Sequence, residues 1–336
     1  MNDENAPSKE KIVNASNTDL PGENAKSDLL DPGRQQGNVW HWMFWSPNGI
    51  RSGWRLIMYL VILMVVSLLL QKVTLRVPAF AATIRLAKHG TLSPQAQFLI
   101  ESVGIISAFV AAWIMSRIEK RKFGAYGVPL KGAFGQTFWL GIIIGLIFES
   151  TEMLGISAMG GFSFGTLSLA GVALVKFALL WAVGFILVGI FEEFLFRGYA
   201  QFTLSDGIGF WPSSILLSAI FGAIHLGNPG EGWVGALSVM LFGIFAAFTL
   251  QRTGSLWFAI GFHAATDYAE TFIYSVPDSG MLASGHLLNS SLHGPRWLTG
   301  GTIGPGGSVV DFALLLVGFF VVALMFPEKR LQSTAA

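Results

Sequence analysis

Three short clusters in this sequence set ionisable side chains inside long apolar runs, each built on a four-residue spacing. Glu193 is followed by Arg197, Phe221 by His225 and His263 by Asp267, and Glu192 stands beside Glu193. A four-residue offset puts both members of a pair on one face of a helix. Glu193 and Arg197 are thus spaced to form an ion pair in the favourable order, and Asp267 to orient one nitrogen of His263 while the other faces a cavity. Glu192 points about 100° away from Glu193, free to face a bundle interior. Ionisable groups in lipid cost about 2.5 to 3.5 kcal/mol each, so a surplus carboxylate with two histidines implies an aqueous cavity or acid–base chemistry.

The elements that must hold these groups are membrane helices. Of 336 residues, 52% are hydrophobic and 12% charged, an apolar excess for which lipid is the natural solvent. The expected fold is all-α, a polytopic membrane helix bundle with about eight transmembrane helices. Apolar runs place them at about 54–71, 98–116, 133–157, 171–203, 210–226, 232–251, 255–276 and 308–326. At about 1.5 Å rise per residue, Glu192, His225 and the His263–Asp267 pair come to similar depths from one side, provided the fourth span is tilted or broken near Gly198. Residues 1–38 are polar and read as a disordered tail, and Trp40, Trp42, Phe44, Trp45 and Trp54 as an interfacial lead-in. The domain division is 1–50, then 51–330 in the membrane, with the motif core at 170–275. Fifteen basic residues on the side of the termini against five on the other favour cytoplasmic termini, and a bacterial cell membrane is the expected location.

The chain has no cysteine, which excludes thiol catalysis and Cys-ligated zinc, and its net charge of +1 argues against a nucleic-acid partner. Glu101, Glu149, Glu152, Lys176, Glu270 and Asp311 read mostly as paired or snorkelling residues, with Glu270 placed to reach the His263 cavity. The Gly-rich stretch 277–307 reads as a flexible loop. Gly161-Phe-Ser163-Phe-Gly165 spells a hydrolase motif, but no strand leads into it, so Ser163 is not expected to be a nucleophile.

The order EExxxR, FxxxH and HxxxD, in three separate spans, resembles the CAAX prenyl endopeptidase and bacteriocin-processing (CPBP) family of intramembrane proteases. The resemblance implies an endopeptidase acting on a membrane-associated peptide, prenylated CAAX-type or leader. Glu192 with His225 would activate water, His263 and Asp267 would stabilise the oxyanion or position water, and Glu193, Arg197 and Phe221 would support the site or touch substrate. Position 267 is Asn in many members, and an ionised Asp cannot donate to an oxyanion. His225, His263 and Glu192 are also a conceivable zinc set, whereas the absence of HExxH favours metal-free chemistry. The other functional readings are a catalytically silent membrane scaffold or immunity protein and a proton-coupled transporter, although no inverted repeat is visible. Lipid and a membrane peptide are the expected partners, with the oligomeric state unassigned.

Overall fold

The computed structural model describes residues 43–47, 49–87 and 91–327. The tail over residues 1–38, Trp40, Trp42 and the basic residues Lys88, Lys329 and Arg330 lie outside them. The chain divides into two units, Met1–Arg51 and Ser52–Ala336. In the described part of the first, β1 (Trp45–Ser46) pairs antiparallel with β2 (Gly49–Ile50). The turn is closed by Ser46 Oγ, which donates to the Gly49 carbonyl at 3.0 Å, and Gly49 has φ +99°, where a Cβ would be strained.

The second unit is helical. In chain order its helices are α1 (Ser52–Thr74), α2 (Pro78–Ala87), α3 (Pro94–Ile118), α4 (Gln136–Ala158), α5 (Gly171–Leu195) and α6 (Gln201–Ile208). There follow α7 (Phe210–His225), α8 (Trp233–Thr253), α9 (Trp257–Tyr268), α10 (Arg296–Thr299) and α11 (Val309–Met325). Lipid offers no partner for backbone N–H and C=O groups, so apolar sequence of this length satisfies them internally as helix. Among the described residues five helical runs are long and apolar enough to cross a membrane: α1, α3, α4, Gly171–Ile208 and α8; α7 and α11 are shorter apolar helices. Leu60, Met64, Leu68 and Leu69 of α1 and Leu316, Val317, Phe320 and Leu324 of α11 are exposed, as a lipid-facing surface requires. The fold is a polytopic helical bundle.

All eight expected spans are found as helix, but α2 was not anticipated. The seventh, α9 with the π-helical turn Ala269–Ile273, is buried along its length rather than lipid-facing. It lies directly on α4 through glycines on both helices. A Cβ on Gly141 would sit 2.3 Å from the Phe258 carbonyl oxygen, one on Gly145 2.6 Å from that of Phe262, and one on Gly261 2.2 Å from that of Phe138. Small residues that let two backbones touch are the usual means of packing helices where no hydrophobic force distinguishes neighbour from lipid.

The stretch 277–307 is not the plain loop that its glycines suggested. It contains β5 (Leu282–Ala283) and β6 (Ser291–Leu292), which pair with β3 (Thr91–Leu92) in parallel and with β4 (Phe162–Ser163) in antiparallel register. The Gly280 N–H also donates to the Ile303 carbonyl at 2.8 Å. These ties are tertiary, so sequence periodicity carries no trace of them.

Candidate active site

Glu192 and Glu193 occupy the last turn of α5, immediately before a π-helical turn, Phe196–Ala200. Gly198 within that turn leaves helical geometry altogether (φ −85°, ψ −121°), so of the ways to accommodate the overlong fourth span the chain uses a break. Arg197, on the same turn, donates from Nη1 to Glu193 Oε1 at 3.4 Å, and both side chains are fully enclosed. Its guanidinium lies 4.5 Å from the Phe221 ring centroid, and Phe221 meets the His225 imidazole edge-on at 4.6 Å. Phe221 therefore links the first motif to the second by a cation–π contact. Room for the guanidinium comes from α8, where a Cβ on Gly243 would stand 2.2 Å from Arg197 Nη2.

Histidine 263 is held on both sides. Its Nδ1 lies 2.9 Å from Glu193 Oε1. An ionised carboxylate only accepts, so Nδ1 is the donor and the tautomer follows. Its Nε2 stands 3.4 Å from Asp267 Oδ2 and 3.7 Å from Glu192 Oε2. The contact expected from Asp267 falls on Nε2, which also faces Glu192, while Glu193, backed by Arg197, holds Nδ1. His225 Nδ1 donates to the Phe221 carbonyl at 2.8 Å, which leaves Nε2 with a free lone pair.

The second histidine comes to the site by way of a cavity of about 100 Å³. Phe221, His225, His263 and Asp267 all line it, but Glu192 does not, and Glu192 makes no hydrogen bond or ion pair with His225. The structure thus gathers Glu192, Glu193, Arg197, His263 and Asp267 into one contact group and joins His225 to it across the cavity. No three of the described His, Asp or Glu side chains converge closely enough to hold a metal ion. The set His225, His263 and Glu192 does not fit zinc in this arrangement.

The rest of the wall is acidic. Glu149, Glu152, Glu231, Glu270, Asp278 and Asp311 line the cavity, and no Lys or Arg does. Among the described residues none of Glu149, Glu152, Glu270 or Asp311 has a basic partner, which corrects their reading as paired or snorkelling groups; Glu270 does reach the His263 cavity. Ser308 caps α11, accepting from the Asp311 N–H, and its hydroxyl donates to Glu152 Oε1 at 2.8 Å, while Ser238 donates to Asp311. Glu101 sits in α3, bonded by Gln97 Nε2 at 3.3 Å rather than by a cation. In the loops, burial pushes the carboxyls of Glu231 and Asp278 up; the Thr271 hydroxyl, 3.2 Å from Asp278, opposes this.

Residues 174–269 match a protein-family model described as Rce1-like, type II CAAX prenyl endopeptidase Rce1-like. The chain carries the CPBP motif segment. All seven motif residues, from Glu192 to Asp267, fall inside it, and at family level the match supports CAAX-type intramembrane protease activity. A comparison with curated proteins returned no match. The acidic wall, by contrast, is supplied almost entirely from outside the CPBP segment, by α4, the π turn after α9, the following loop and α11. Its one visible signal was the i,i+3 pair Glu149 and Glu152 on an apolar helix without a nearby basic residue. Ser163 does hydrogen-bond a histidine, 2.9 Å from His293 Nε2, but on an exposed two-residue ladder; among the described residues no carboxylate bonds His293. That is a cross-strand contact rather than a nucleophile elbow.

Proposed function

We propose that this chain is an intramembrane endopeptidase that hydrolyses a peptide bond of a membrane-associated peptide, prenylated CAAX-type or leader, in a bacterial cell membrane with both termini cytoplasmic. The observation that carries the proposal is the arrangement at His263, whose Nδ1 is committed to the Arg197-backed Glu193 while its Nε2 faces both Glu192 and Asp267. Glu192 removes a proton from water as the hydroxide adds to the substrate carbonyl carbon, and the carbonyl oxygen becomes an oxyanion. The His225 Nε2 lone pair accepts the water's second hydrogen and holds the molecule in place. One proton shared between His263 Nε2 and Asp267 supplies an oxyanion donor in either of its positions, as imidazolium N–H or as carboxylic O–H. This answers the objection that an ionised Asp267 has nothing to donate. Collapse of the intermediate breaks the C–N bond, and the amine leaves with the proton from Glu192.

The test compares purified wild type with Glu192→Ala, His225→Ala and His263→Ala on farnesylated CAAX peptides and leader peptides in lipid bicelles, with and without chelator. Loss of an oxyanion donor or general base is expected to cost about 100-fold or more in kcat. Undiminished cleavage by Glu192→Ala rejects the proposed base. Chelator-sensitive cleavage with stoichiometric zinc rejects the metal-free step, and proton flux in liposomes without cleavage favours the transporter reading.

A further inference from the structure

The acidic wall of the cavity takes no part in the hydrolysis just described, yet it adjoins His225 and His263. Three of its six carboxyls have hydroxyl donors: Ser308 serves Glu152, Ser238 serves Asp311 and Thr271 serves Asp278. Of the other three, Glu231 accepts from the Gly232 N–H and leaves its Oε2 unpaired, Glu270 makes no side-chain hydrogen bond among the described residues, and the most deeply buried is Glu149. Its side chain is 3% exposed, and its buried Oε1 has no hydrogen-bond partner, although Glu149 forms part of the cavity wall. A buried acceptor left unpaired costs about 1 to 3 kcal/mol, and more when charged, so its retention beside an open cavity points to a donor that arrives from outside.

The chemistry of the wall narrows what that donor is. Six carboxyls crowd this side of the cavity, and no Lys or Arg lines it, so the complement of the wall is positive. A bare metal ion is a poor fit, because no three ligating side chains converge. An ammonium or guanidinium on a flexible apolar stem fits both constraints, since it needs only one or two acceptors at its tip. Phe148, Phe242 and Ile303 supply apolar wall along which the methylenes of such a stem can lie. We infer that this wall is the subsite for a basic residue, Lys or Arg, of the peptide substrate, with Glu149 as the group that receives its charge. The inference rests on the peptidase reading for the identity of the ligand, but it concerns binding, not the bond-breaking step.

The experiment uses the full chain in lipid nanodiscs and a series of fluorescent CAAX-type and leader peptides. Each carries a single Lys at successive positions, paired with an otherwise identical norleucine peptide. Binding is read by anisotropy and cleavage by mass spectrometry on the same samples. A charge-assisted hydrogen bond at a buried site predicts a Lys-over-norleucine preference of about tenfold or more at one position. The ratio is expected to collapse toward one in Glu149→Gln and to shrink in Asp311→Asn. The wild-type comparison stands even if a variant does not fold. Equal affinity for the Lys and norleucine peptides on wild type overturns the subsite, as does a preference undiminished in both variants. A binding preference without any cleavage supports the subsite and rejects the peptidase reading, whereas cleavage without preference does the reverse.

Discussion

Replacing Arg197 by Ala tests the electrostatic logic of the site most directly. The guanidinium is 1% exposed and Glu193 0%, so removing the cation strands a carboxylate that has only His263 as a further partner. Breaking a buried pair by deleting one member typically costs about 3–5 kcal/mol, and a desolvated cation–π contact such as that to Phe221 adds up to about 2. The geometry here is not ideal. A single N–H···O contact at 3.4 Å joins the pair, while Glu193 Oε2 and Arg197 Nη2 have no hydrogen-bond partner. The expectation is therefore the lower end, about 3 kcal/mol, or a factor of roughly 100 to 200 in the folding equilibrium. Reversible unfolding in mixed micelles, by titration with SDS and followed by tryptophan fluorescence, measures it. Adding Glu193→Gln to Arg197→Ala removes the stranded charge and is expected to recover part of the loss, since deleting both partners costs less than orphaning one. A loss below about 1 kcal/mol for Arg197→Ala, or no recovery in the double variant, refutes the reasoning.

Two further perturbations follow from the same coordinates. Gly243→Ala places a methyl 2.2 Å from Arg197 Nη2 and 2.8 Å from Ser218 Oγ, and is expected to cost about 1–3 kcal/mol as overpacking; Gly53→Ala, with nothing within 4 Å, should stay within about 0.5 in the same unfolding assay. Asp278→Asn tests pH dependence. Burial raises the folded Asp278 carboxyl, so the folded state keeps a proton that the unfolded chain releases, and stability falls as pH climbs from about 4 through the folded value. The Asn variant should gain on wild type as pH rises toward neutrality in thermal unfolding, and an unchanged difference across that range counts against it.

The motif residues were legible because their spacing is a property of single helices. Four-residue offsets survive folding unchanged, and an overlong fourth span must tilt, break or protrude; the structure breaks it at Gly198. What could not be read is whatever depends on which helices meet. Asp267 lies one turn from His263 and so seemed its natural orienting partner, yet Glu193, seventy residues earlier, makes the shorter contact with Nδ1. Glu149 and Asp311 look like isolated costs in their own spans and acquire meaning only when α4 and α11 close on one cavity. The stretch 277–307 misled in the opposite sense, because glycine-rich composition cannot distinguish a free loop from one pinned by cross-strand bonds.

The glycine contact between α4 and α9 has a consequence for how a substrate could reach His263. Where the two backbones touch, no side chain is interposed to flex or to change rotamer, and neither helix can slide without carbonyl oxygens colliding with main-chain atoms. The helix that carries His263 and Asp267 is therefore locked against α4 along its length. If the proposed peptidase reading holds, peptide entry falls to elements elsewhere around the cavity, and a single methyl at Gly141, Gly145 or Gly261 would displace the helix that carries His263 and Asp267.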